Sequence, residues 1–181
     1  SARFSEDIHV QLTLSRTYFN GGEPVLGKLA LQEATRLVGF DAERQVHIGR
    51  LQLLAGNADA AAYNATKALQ ARPDDVGAMV LQLEIEASRR NAAAVDVALK
   101  ALNAKHPAEL ATLVATANVA LSRGQIEAAQ AAFRAAMDKA PNTGIAIQLA
   151  QSHVAAKDFD SALRVIEAWS RAHPQDRTAL K

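Results

Sequence analysis

Residues 110–143 read LATLVATANVALSRGQIEAAQAAFRAAMDKAPNT, and the punctuation of that stretch decides the fold. Its apolar content is mostly Ala, Leu and Val, residues suited to close contact between helices. Gly124 interrupts it and is followed by Glu127, Ala128 and Ala129. A glycine there suits a left-handed helix cap, and the acid then lies near the N-terminus of the next helix. Pro141 follows the helical run Met137-Asp138-Lys139-Ala140 and reads as a stop. The stretch therefore predicts two helices joined by a tight turn and closed by a proline.

The same punctuation recurs on either side. Pro73, Pro107 and Pro141 stand at i, i+34 and i+68, and Pro174 falls one position short of the next step. Gly56 precedes Gly124 by twice that period and is likewise followed by an acid, Asp59, and then by Ala60 and Ala61. Gly22 lies one period earlier still, and in the last unit, shorter by one residue, Lys157-Asp158-Phe159-Asp160 occupies the turn. The spacing predicts five helix-turn-helix units over residues 8–41, 42–75, 76–109, 110–143 and 144–177. Residues 1 to 7 and 178 to 181 then read as the tail of an earlier unit and the start of a later one, so the expectation is a stretch of a longer array.

This pattern resembles the tetratricopeptide repeat, whose unit has a turn glycine, small residues, an aromatic and a terminal proline. Unit four matches with Gly124, Ala129, Phe133, Ala136 and Pro141. Unit two matches with Gly56, Ala61, Ala68 and Pro73, although Ala65 replaces the aromatic. Unit one keeps Leu14, Ser15, Tyr18, Gly27 and Ala34, with Gly39 in place of proline. In unit three Val95, Leu99 and Leu102 hold the packing positions, and Arg90 stands where glycine is expected. Unit five has Ala150, Ala162, Ile166, Trp169 and Pro174. The resemblance implies an all-α fold, a right-handed α-solenoid forming a single superhelix over 1–181. The small residues Ala61, Ala129 and Ala162 let helices approach closely, and Tyr18, Phe133 and Trp169 fill the space between them.

Composition removes several function classes. With 20 basic and 19 acidic residues the formal charge is +1, which gives no field to draw in a nucleic acid. There is no cysteine, so disulfides, thiolate catalysis and Cys-ligated zinc are out. No apolar run is as long as a membrane-spanning helix requires, so this segment is not expected to insert in a membrane. The histidines His9, His47, His106, His153 and His173 show no helical metal-pair spacing, and His106 and His173 each precede a proline at a helix C-terminus, where an imidazole is favourable. Glu84 and Glu86 point apart on a helix, and Asp158 and Asp160 are explained as acids at a helix start. No phosphate loop, nucleophile elbow or dinucleotide fingerprint occurs. No catalytic residue, cofactor or metal is expected.

The resemblance implies instead a binding groove lined by the first helix of each unit. The residues it selects are Leu12, Arg16 and Phe19 in unit one, Val46, His47 and Arg50 in unit two, Glu84 in unit three and Asn118 in unit four, flanked by His9, Leu53, Val80 and Val114. Arg16 and Arg50, one period apart, are either charge-assisted peptide anchors or surface residues paired with Asp41, Glu43 or Glu84. The family's two-carboxylate clamp needs Lys and Asn where this chain has Leu12, Arg16, Val46 and Arg50, so it is absent. The function implied is a non-catalytic scaffold for a protein or peptide partner. In its Ala-rich texture the chain is similar to the bacterial repeat lipoproteins of exopolysaccharide export, the PEP-CTERM type. That likeness leans towards a periplasmic or outer-membrane-anchored place, with the cytoplasm left open. A regulatory module of a larger enzyme, or self-association through uncapped array ends, are the competing expectations.

Overall fold

The computed structural model describes residues 7–176. The reading of residues 1 to 7 and 178 to 181 as fragments of further units lies outside them except for Asp7, whose side chain caps the first helix. Ten α-helices and no strand occur among the described residues: α1 (Ile8–Asn20), α2 (Pro24–Val38), α3 (Ala42–Leu54), α4 (Ala58–Ala71), α5 (Val76–Ser88), α6 (Ala92–Lys105), α7 (Leu110–Ser122), α8 (Ile126–Lys139), α9 (Thr143–Ala155) and α10 (Phe159–Ala172). The first helix of each pair starts at Ile8, Ala42, Val76 and Leu110, each a full period after the last, and then at Thr143, one position early. The contraction falls in the connection around Pro141. Helix α9 begins two residues after that proline, whereas α5 and α7 begin three residues after Pro73 and Pro107. The shortening of the fifth unit thus lies at its entry, and its internal turn keeps full length.

Each pair is joined by the same turn. In the second pair the Gly56 N–H donates to the Leu53 carbonyl at 2.9 Å and the Asn57 N–H to the Gln52 carbonyl at 2.8 Å. Those are the two bonds of a Schellman cap, which satisfy carbonyls a helix end otherwise leaves unpaired. The pattern repeats at Gly22, Arg90, Gly124 and Lys157. It demands a left-handed residue, and all five have one: φ is 77°, 72° and 72° at Gly22, Gly56 and Gly124, and 57° and 60° at Arg90 and Lys157. Helix starts are closed by side chains: Asp41, Asn57, Asp75, Asn142 and Asp158 each accept a bond from a backbone N–H three residues on.

Contacts group the chain into two compact bodies, Ser1–Lys105 and His106–Lys181. In the first, α2 packs on α3, and α5 packs on both α3 and α4. Ala34, Val38 and Ile48 form one buried cluster, Ala42, Val46, Ala68 and Ala78 a second, and Ala61, Ala65, Leu81 and Ile85 a third. A polar chain crosses this core. The Asn64 side-chain amide donates to Gln45 Oε1 at 2.6 Å and lies 3.3 Å from the Thr35 hydroxyl, while Gln45 Nε2 donates to the Gly39 carbonyl at 2.5 Å. Gln45 and Asn64 are fully buried, so these bonds offset the desolvation of two amides and tie α2, α3 and α4 into one register.

In the second body α9 packs on both α8 and α10. Phe133 is fully enclosed by Ala117, Ala120, Ala129, Ala136, Ile145 and Leu149. Trp169 is buried too; its indole N–H donates to Asp176 Oδ2 at 3.0 Å, and its ring stacks on His173 with centroids 3.8 Å apart. The Thr143 hydroxyl donates to the same Asp176 oxygen, joining the start of α9 to the chain beyond α10. Phe133 and Trp169 thus fill space between helices as the pattern predicts, whereas Tyr18 is only half-buried.

A left-handed residue that carries a Cβ costs about 1–2 kcal/mol, partly recovered because it is less free than glycine when unfolded. Urea unfolding is expected to show Arg90→Gly stabilising the protein by about 0.5–1 kcal/mol. Gly56→Ala, where an added Cβ would meet nothing within 4 Å, is expected to destabilise it by about 1 kcal/mol through backbone conformation alone.

Candidate partner-binding site

Helix α1 presents His9, Leu12, Thr13, Arg16, Phe19 and Asn20 along one face, a stripe that follows from the helical period. His47, Leu51 and Leu54 form the matching stripe on α3. Together with Leu31 of α2 they enclose an open cleft of about 720 Å³ in the first body. Phe19 is held in place from behind: its ring lies against Gly27, where a Cβ would come within 2.8 Å of it. Leu54 stands 84% exposed at the end of α3, with no packing role that would account for a leucine there.

Four of the eight residues selected from the sequence meet in this cleft: Leu12, Arg16, Phe19 and His47. Val46 does not. It is buried against Ala42, Ala68 and Ala78, because successive residues on a helix point about 100° apart and His47 already takes the cleft direction. Val80 is buried in the same way. Arg50 and Glu84 face each other at 3.8 Å, α3 to α5, so this arginine takes the ion-paired alternative. Asn118 belongs to the second body, exposed on α7, and accepts a bond from Gln148 Nε2 at 3.4 Å. Leu51, Leu54 and Asn20 were missed; the i+4 and i+7 spacing of the two leucines from His47 is the signal that finds them.

Arg16 is exposed, and unlike Arg50 it has no carboxylate or hydrogen-bond partner among the described residues. Elsewhere Arg36 pairs with Glu33, Arg44 with Asp41, Arg72 with Asp75, and Lys105 with Asp74. The acids considered for catalysis are engaged separately: Glu86 with Arg89 at 3.1 Å, and Asp158 with the Ser161 N–H at 3.0 Å. Asp158 is held below the usual carboxylate range by its bonds to Ser161, with His153 adding to the effect. Among the described residues no group of three His, Asp or Glu is placed to hold a metal ion, and no helix is long and apolar enough to cross a membrane.

Glu84 carries the opposite perturbation. Partial burial raises its carboxyl above the ordinary value, and Arg50 opposes that only in part. An acid whose folded pKa lies above its unfolded one costs stability when ionised, and the cost fades as pH falls through that folded value. Thermal unfolding is therefore expected to show Glu84→Gln at least as stable as the parent at pH 7, with the difference vanishing by pH 4. A variant that loses stability at pH 7 would mean that the Arg50 pair outweighs desolvation.

The tetratricopeptide repeat family model matches residues 120–181. No curated protein matches the sequence. Among solved structures, a thermophilic tetratricopeptide protein of Thermus thermophilus, TTC0263, superposes with a TM-score of 0.74 at 17% identity, covering 96% of this chain and 95% of that one. MamA from Desulfovibrio magneticus RS-1 superposes with a TM-score of 0.59 at 18% identity, covering 94% and 97%. YrrB, described as a tetratricopeptide protein with an unusual peptide-binding site, gives 0.56 at 13% identity, covering 97% and 91%. At these identities the likeness is one of fold, an all-α helical repeat, and the tetratricopeptide match itself is confined to residues 120–181.

Proposed function

We propose that this chain is a non-catalytic interaction scaffold that holds a peptide, or an extended segment of a partner protein, in the cleft between α1 and α3. The observation that carries the reading is the coincidence, in one open cleft, of an arginine with no partner among the described residues and a leucine left 84% exposed. A charge beside bare apolar surface is the combination that binding to another chain accounts for. YrrB's peptide-binding site supports a peptide as the occupant in a protein of this fold. The exopolysaccharide-export setting, with the chain outside the cytoplasm, belongs to the same proposal and rests on the resemblance of its Ala-rich repeats.

The reading is tested by affinity purification of the protein from its own cells, comparing the parent with Arg16→Glu, Leu54→Ser and Arg50→Ala. All three positions are exposed, so circular dichroism should be unchanged. A partner recovered with the parent and with Arg50→Ala, but lost about tenfold or more with the two cleft variants, is the expected result. Equal recovery with all four proteins would remove the cleft as the binding site.

A further inference from the structure

Given that reading, the geometry points to the class of segment the cleft takes: a short extended stretch bearing one carboxylate beside a large apolar side chain. Leu12, Arg16 and Asn20 lie at i, i+4 and i+8 on α1, one above another along the cleft wall. Among the described lining residues Arg16 is the single arginine or lysine, set beside His9 and His47, and none of them is an acid that would compete for it. Against apolar walls its attraction for an anion is screened less than in open water, and the guanidinium fork matches a carboxylate through two parallel bonds. Phe19, Leu51 and Leu54 on either side supply the apolar contact.

Charge decides against the neighbouring chemistries. A phosphorylated residue carries about −1.5 to −2 and is recognised by clustered arginines, whereas one guanidinium balances one carboxylate. A nucleic acid needs many cations along its backbone, and the described lining residues offer one arginine and no lysine. The Asn20 side chain has no hydrogen-bond partner among the described residues, and its carboxamide can give and accept one bond each with the backbone of an extended chain one helical turn from Arg16. A carboxylate at Arg16, a backbone amide at Asn20 and an apolar side chain between α1 and α3 therefore define the preferred segment.

The experiment is selection of a displayed random heptapeptide library on the full chain, with Arg16→Ala and Leu54→Ser as parallel baits, followed by anisotropy titration of the best synthetic peptide. Asp or Glu adjacent to Leu, Ile or Phe is expected to be enriched on the parent. Changing that acid to its amide should weaken binding by about tenfold, while Arg16→Ala should bind both peptides alike and Arg16→Lys should restore only part of the difference. Enriched peptides without an acid that still need Leu54 would overturn the carboxylate preference and leave the cleft reading standing. Enrichment independent of both cleft residues would overturn both. A parent that sediments as a dimer and becomes monomeric on Arg16→Glu would assign the cleft to a second copy of the chain, and the proposal would fail.

Discussion

Helix backbones in this protein meet across residues that carry almost no side chain. A Cβ on Gly49 would lie 2.5 Å from Leu81, 3.1 Å from the Asn64 Cβ and 3.5 Å from the Ala61 carbonyl, so α3 presses against α4 and α5 at one point. Ala61, Ala68, Ala129 and Ala136 are fully buried at corresponding places along the second helices. Small contacts of this kind give little hydrophobic stabilisation each, and they are effective because dispersion falls off steeply with separation. A pair of helices of about this length cannot bury its apolar stripe unaided, so each depends on the next layer. The cleft owes its shape to the same constraint, since Gly27 sets where the ring of Phe19 can lie.

The amides inside the first body serve a different end. An apolar contact between Ala-rich surfaces is tolerant of sliding, because one methyl resembles the next. The Thr35, Asn64, Gln45 and Gly39 chain is not tolerant, since a shift by one turn would leave two buried amides without partners. Gln52 shows the cost of an incomplete arrangement: its oxygen accepts from Asn57 at 3.2 Å while its buried Nε2 has no partner. Polar order in this core selects an alignment more than it adds stability.

Much of the fold was legible because proline and glycine act through the backbone, where sequence and conformation are directly coupled. The prolines and turn glycines led to pairs whose first helices begin at Ile8, Ala42, Val76 and Leu110. Even the departure at Arg90 marks a turn of the same geometry, held by its neighbours against the preference of the residue. The candidate site was legible in part. Leu12, Arg16, Phe19 and His47 come together, since one helix face is fixed by periodicity. Val46 and Arg50 lie outside the cleft for reasons a shared position list cannot contain. One depends on how far α4 and α5 cover α3, and the other on an acid a whole repeat away in sequence that comes within 3.8 Å only after folding.

The shortened link at Pro141 has a consequence for how such a chain can change length. Removing one residue inside a helix would turn everything beyond it by about 100° and carry the greasy stripe off its neighbour. Removed between layers, the same residue is absorbed by a tighter bend in which Asn142 closes α9 through the Ile145 N–H at 3.1 Å. Insertions, deletions and grafted modules should therefore be accommodated at these links, which act as expansion joints between otherwise inflexible courses.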